Sequence, residues 1–68
     1  MADRTYELVF YGLNGQVDSE QDYYDRETAL EALRLFDEPD SAELYSRIVL
    51  REYDWQTRTE TELEVLAF

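Results

Sequence analysis

From Thr5 to Leu13, the residues Tyr6, Leu8 and Phe10 alternate with Glu7, Val9 and Tyr11. A two-residue period rich in aromatic and β-branched side chains marks a strand. Apolar groups fall on both of its faces, which predicts a central position in a sheet rather than an edge. Asn14-Gly15 follows, and because both residues tolerate positive φ, the pair signals a hairpin. A return strand is expected over Gln16 to Tyr23. Val17 and Tyr23 alone anchor it among Asp18, Glu20 and Asp22, so it reads as an exposed edge guarded by its charges.

The period then changes. Asp25 suits an N-cap, with Glu27 in the first turn where the helix dipole favours negative charge. Ala29, Leu30, Leu33 and Phe36 make one apolar stripe on a helix from Arg26 to Phe36 or Asp37, while Glu27, Glu31 and Arg34 lie opposite. Pro39 forces the preceding residue out of the helical region, so Asp37 to Ser41 is read as a loop.

The last third reads as a second hairpin. In the strand from Tyr45 to Tyr53, Ile48 and Leu50 should face the helix, leaving Tyr45, Arg47, Val49, Arg51 and Tyr53 on the other face. Asp54 to Arg58 makes the turn, and Thr59 to Phe68 returns, with Glu62 or Glu64 expected opposite Arg47 or Arg51 as cross-strand charge pairs.

The predicted fold class is α+β: a single domain over residues 1–68, with about four antiparallel strands in the order ββαββ and one helix on one face. One short helix cannot cover the whole sheet, so Tyr11, Val49, Tyr53, Leu66 and Phe68 are expected to form an apolar patch on the open face. Either long Arg and Tyr side chains lie flat over that face and cover one another, or the face is an interface, where Tyr and Arg are common anchors. In the second case Tyr45, Arg47, Arg51 and Tyr53 would serve homodimerisation or assembly.

Composition narrows the chemistry. The chain has 68 residues, no cysteine and no histidine, and its basic residues are all arginine. Disulfides and the common zinc sites are therefore excluded, as are Ser-His-Asp and Cys-His nucleophile systems and a lysine Schiff base. Neither a G-x-x-x-x-G-K-S/T nor a G-x-G-x-x-G phosphate-binding loop appears around the chain's two glycines. Carboxylate chemistry remains, but it needs a cleft that a single thin layer rarely encloses. The expectation is a protein that is not an enzyme and uses no cofactor. A calcium loop starting at Asp18, Glu20 and Asp22 fails, because Tyr23 stands where glycine is required and Ala29 where a bidentate glutamate is required.

Net charge is −11, from 17 acidic and 6 basic residues. The excess is concentrated between Gln16 and Glu43, where Asp18, Glu20, Asp22, Asp25, Glu27, Glu31, Asp37, Glu38, Asp40 and Glu43 face only Arg26 and Arg34. Edge strand, helix outer face and helix exit are expected to form one acidic side. That side is read as a solvated surface that favours solubility, as adaptation to a salty cytoplasm, or as a recognition surface for a basic protein partner, including imitation of nucleic acid. Direct binding to nucleic acid or anionic membrane is disfavoured by repulsion. Without a basic, then apolar, leader at Met1-Ala2-Asp3-Arg4, a cytoplasmic location is expected.

The stretch Leu33-Arg34-Leu35-Phe36-Asp37-Glu38-Pro39-Asp40-Ser41-Ala42-Glu43-Leu44-Tyr45-Ser46-Arg47-Ile48, followed by Glu52-Tyr53-Asp54-Trp55, resembles small uncharacterised acidic proteins carried on plasmids, conjugative elements and prophages of gut Firmicutes. The resemblance covers about a third of the chain and carries no assigned activity. It implies a mobile-element context, in which small acidic proteins act as accessories or as anti-restriction and anti-CRISPR inhibitors, and it weighs against salt adaptation. The leading expectation is a non-enzymatic module whose acidic side engages a basic surface of a nucleic-acid enzyme. The alternative is a module that dimerises or assembles through its open sheet face.

Overall fold

A computed structural model describes residues 3–68. Its elements are β1 (Arg4–Gly12), β2 (Val17–Tyr23), α1 (Arg26–Leu35), a 3-10 helix (Pro39–Glu43), β3 (Tyr45–Asp54) and β4 (Thr59–Ala67). The strands form one antiparallel sheet in the order β2-β1-β3-β4. The α+β class and the order ββαββ are as the sequence predicts. The strand with apolar residues on both faces is central, and the charged return strand is an edge.

Leu8, Phe10, Ile48 and Leu50 point to one face of the sheet, where Ala29 and Leu33 of α1 close over them. Leu8, Ile48 and Leu50 are fully buried, each worth roughly 1.5–3 kcal/mol of transfer free energy. The helix begins at Asp25, whose carboxylate accepts from the Glu27 amide at 3.2 Å and from the Thr28 hydroxyl at 3.1 Å. It ends as the amides of Phe36 and Asp37 close onto the carbonyls of Leu33 and Arg34. The segment read as a loop is in part a 3-10 helix, because Pro39 at its first position already has a helical φ; Ser41 within it is buried.

Three register irregularities reshape what simple alternation predicts. In β3, Arg47 pairs with Tyr11 but Tyr45 pairs with Gly12, so Ser46 is an extra residue. Its hydroxyl donates to the Gly12 carbonyl at 2.8 Å, which holds the bulge. Tyr45 consequently turns to the helix face, where it meets Phe10 and Phe36 at ring separations of 5.2 and 6.3 Å. In β4 the irregularity at Leu63 places Leu63 and Leu66 against the helix-side core. In β2 the extra residue is Asp18.

Among the described residues, no helix is long and apolar enough to cross a membrane.

Candidate functional site: the open sheet face

The face without a helix carries Val9, Tyr11 and Val49 as a second buried cluster. Val9 and Val49 are direct cross-strand partners. Tyr11 is one step along the same face, and its ring runs over them to reach Arg51: the Arg51 guanidinium donates from Nη2 to the Tyr11 hydroxyl at 2.7 Å. The Arg47 guanidinium lies over the Tyr11 ring at 4.1 Å, a cation–π contact. The expected exposed patch is thereby corrected. Tyr11 is buried with Arg47 and Arg51 against it, Val49 is buried in the same cluster, Leu66 faces the helix side, and only Tyr53 of that set borders an accessible site. Phe68 is exposed at the end of β4.

Beyond this lid the face opens into a shallow groove of about 580 Å³. Tyr23, Tyr24, Tyr53 and Trp55 supply its aromatic wall, and Glu7, Asp22, Glu60 and Arg51 its charges. The Tyr53 and Trp55 part of the wall is held in place. Tyr53 and Trp55 meet edge to face at 4.6 Å, the Trp55 indole donates to the Thr5 hydroxyl at 3.3 Å, and the Trp55 amide donates to the Asp3 carbonyl at 2.9 Å. Trp55 is nevertheless 58% exposed and Tyr24 85%.

The electrostatics follow from strand pairing. Glu7 lies opposite Asp22, and Val9 opposite Glu20, so three carboxylates share one corner of the open face. Glu7 is partly buried, and its carboxyl is pushed above the usual glutamate range, first by desolvation and then by the charges of Glu20 and Asp22 and a hydrogen bond with Glu20; Arg51 offsets this only in part. Arg51 itself lies 3.9 Å from Glu60. That ion pair is diagonal, since Glu62 is the residue directly opposite Arg51 and Glu64 falls opposite Leu50. The expected opposition of Arg51 and Glu62 is present in the register, but the ion-pair contact of Arg51 goes to Glu60, while Arg47 faces Ala67 and stacks on Tyr11. Among the described residues, no group of three His, Cys, Asp or Glu side chains is arranged to hold a metal ion.

The acidic residues of Gln16 to Glu43 do not make one side. Glu20 and Asp22 are on the open sheet face, with Asp18 at the β2 bulge. Glu27 and Glu31 lie on the outer surface of α1, in the opposite layer, and Asp25 is engaged in capping. Asp37, Glu38, Asp40 and Glu43 are exposed around the 3-10 helix. The proposed sheet-face set is also divided: Arg47, Arg51 and Tyr53 share the open face, whereas Tyr45 belongs to the helix-side aromatic cluster. Sequence reasoning missed Glu7, Tyr24, Trp55 and Glu60. Glu7 could have been found, because it shares the odd-numbered face of β1 with Val9 and Tyr11. No protein-family model matches the chain, and no curated protein or solved structure matches it.

Proposed function

We propose that the protein is a non-enzymatic, cytoplasmic binding module whose acidic sheet face engages a basic surface of a protein partner, in the manner of an inhibitor or nucleic-acid mimic directed at a nucleic-acid enzyme. The observation that carries this reading is the corner formed by Glu7, Glu20 and Asp22 beside the exposed rings of Tyr24 and Trp55. Directly opposed residues stand about 5 Å apart at Cβ, and Glu20 and Asp22 are separated by about 6.8 Å along the strand. Such a two-dimensional carboxylate array offers a Lys/Arg-lined groove a density of negative charge comparable in scale to a nucleic-acid backbone. Exposed Trp and Tyr beside it are the residue types that dominate binding energy at protein interfaces.

Self-association through the same face, using Arg47, Arg51 and Tyr53, is the competing reading. It is weakened by Val9 and Val49, which already lie under side chains of their own chain, and by the repulsion of two like-charged faces. Light scattering that gives a dimer mass at moderate concentration would favour it. The direct test is calorimetric titration with an arginine octapeptide at low and high salt. Binding that weakens steeply with salt is expected; absent or salt-insensitive binding overturns the proposal.

A further inference from the structure

We infer that the groove between Tyr53, Trp55, Glu7 and Asp22 is a seat for one arginine side chain of the partner, its guanidinium stacked on the aromatic wall and forked by the carboxylates. This deepens the function proposed above and rests on it.

The groove has the volume to take a long side chain, at about 580 Å³, and it is open at the surface. Its occupant must be cationic. Among the described residues, the ion pairs join Arg4 to Glu52 and Asp54, and Arg51 to Glu60; neither Glu7 nor Asp22 takes part in one. Glu7 is crowded by Glu20 and Asp22, and Arg51, its direct partner across the β1–β3 pair, offsets this only in part while its guanidinium makes its contacts with the Tyr11 hydroxyl and Glu60. A cation placed there relieves repulsion already present in the free protein.

The occupant is arginine rather than lysine for a geometric reason. A planar guanidinium can stack on an aromatic face while its edge donates to carboxylates, whereas a compact, strongly hydrated ammonium cannot do both. The same face already uses this chemistry internally. Arg47 stacks on Tyr11 at 4.1 Å, and Arg51 bridges a tyrosine hydroxyl and a carboxylate. Trp55 is pinned by Tyr53, Thr5 and the Asp3 carbonyl, so little ordering cost attends binding at the wall.

The experiment titrates the intact protein with an arginine octapeptide and with a lysine octapeptide of equal charge, at matched salt, following the Trp55 indole N–H by NMR. The arginine peptide is expected to bind roughly 3- to 10-fold tighter, the scale of one partly exposed cation–π contact, and to shift the Trp55 indole and the Glu7 amide. Trp55→Ala should abolish that preference, lowering arginine-peptide affinity by a larger factor than lysine-peptide affinity. Because Trp55 is exposed in a turn, circular dichroism should show an intact fold; Asp22→Asn, which leaves the wall untouched, is the second variant and should narrow the preference in the same direction. Equal affinities for the two peptides overturn the arginine seat and leave the acidic sheet-face reading standing, whereas shifts confined to α1 overturn both. Binding of neither peptide at low salt overturns both.

Discussion

Arg51 donates from Nη2 to the phenolic oxygen of Tyr11 at 2.7 Å, across 40 residues of sequence. This contact draws the Tyr11 ring over Val9 and Val49 and turns a sheet face with no helix on it into a second small core. The consequence is a division of the face. One end is closed by the chain's own tyrosine and arginines, and the other is left open, acidic and aromatic.

Tyr11→Phe tests the lid. It keeps the ring but removes the acceptor for a charged donor, a hydrogen-bond class worth about 1.5–3 kcal/mol; partial exposure of Arg51 places the expected loss near ~1.5 kcal/mol in urea unfolding. Tyr11→Ala also uncovers both valines and should cost about 3–5 kcal/mol, which approaches the whole stability of a domain this small, at roughly 0.05–0.15 kcal/mol per residue. Equal effects of the two substitutions would contradict this description of the lid.

Glu7→Gln should stabilise the protein at neutral pH. The folded-state pKa of Glu7 is raised by burial, Glu20 and Asp22, so the native state holds that proton more tightly than the unfolded chain. Stability therefore falls as pH climbs from the ordinary glutamate value, about 4.3, through the raised one. Relief of a directly opposed like-charge pair is worth roughly 0.5 kcal/mol, or a rise in Tm of about 2–4 °C. Thermal melts should show that gain at pH 7 and none once the pH is below about 4. A gain that persists in acid would assign the effect to something other than the Glu7 charge.

Tyr45 and Tyr53 should part company. Tyr45→Ala removes a ring from the Phe10–Phe36 cluster and should cost about 2 kcal/mol of stability. Tyr53→Ala should cost less in unfolding but more in binding of a basic peptide. Ser46→Ala, which removes the hydroxyl that anchors the β3 bulge on the Gly12 carbonyl, should destabilise by about 1 kcal/mol.

Gly15 sits at φ +83° in the first hairpin loop, with nothing within 4 Å of where a Cβ would stand. Gly15→Ala should therefore cost only the backbone penalty of the left-handed region, about 1–2 kcal/mol, with no change in the sheet's amide NMR pattern.

Element types were legible because period and caps agreed: alternation in β1 and β3, Asp25 as the cap, and the Ala29, Leu33 and Phe36 stripe in α1. Side-chain faces were legible only up to the bulges. An extra residue at Ser46 or Leu63 reverses the face on which residues to either side of it lie relative to each other, and neither residue advertises itself in composition. That is why Tyr45 and Leu66 were assigned to the open face and lie on the helix side. The acidic side was misread for a related reason. Charge clustering in sequence said nothing about the face on which Glu20 and Asp22 emerge, and pairing with β1 sets them beside Glu7, away from Glu27 and Glu31. The aromatic wall was missed because Trp55 stands in a turn, where no periodicity selects it.

The central claim is that the open sheet face, and not acidity in general, is the binding surface. Two double variants separate these ideas, since Glu20→Lys with Asp22→Lys and Glu27→Lys with Glu31→Lys change net charge equally on opposite layers. Affinity for an arginine octapeptide should be measured for each across a range of salt concentrations. The sheet-face variant is predicted to lose at least about tenfold more affinity than the helix variant, equivalent to ~1.4 kcal/mol, and to show a flatter salt dependence. Equal losses, or a larger loss for the helix variant, would contradict the assignment of function to this face.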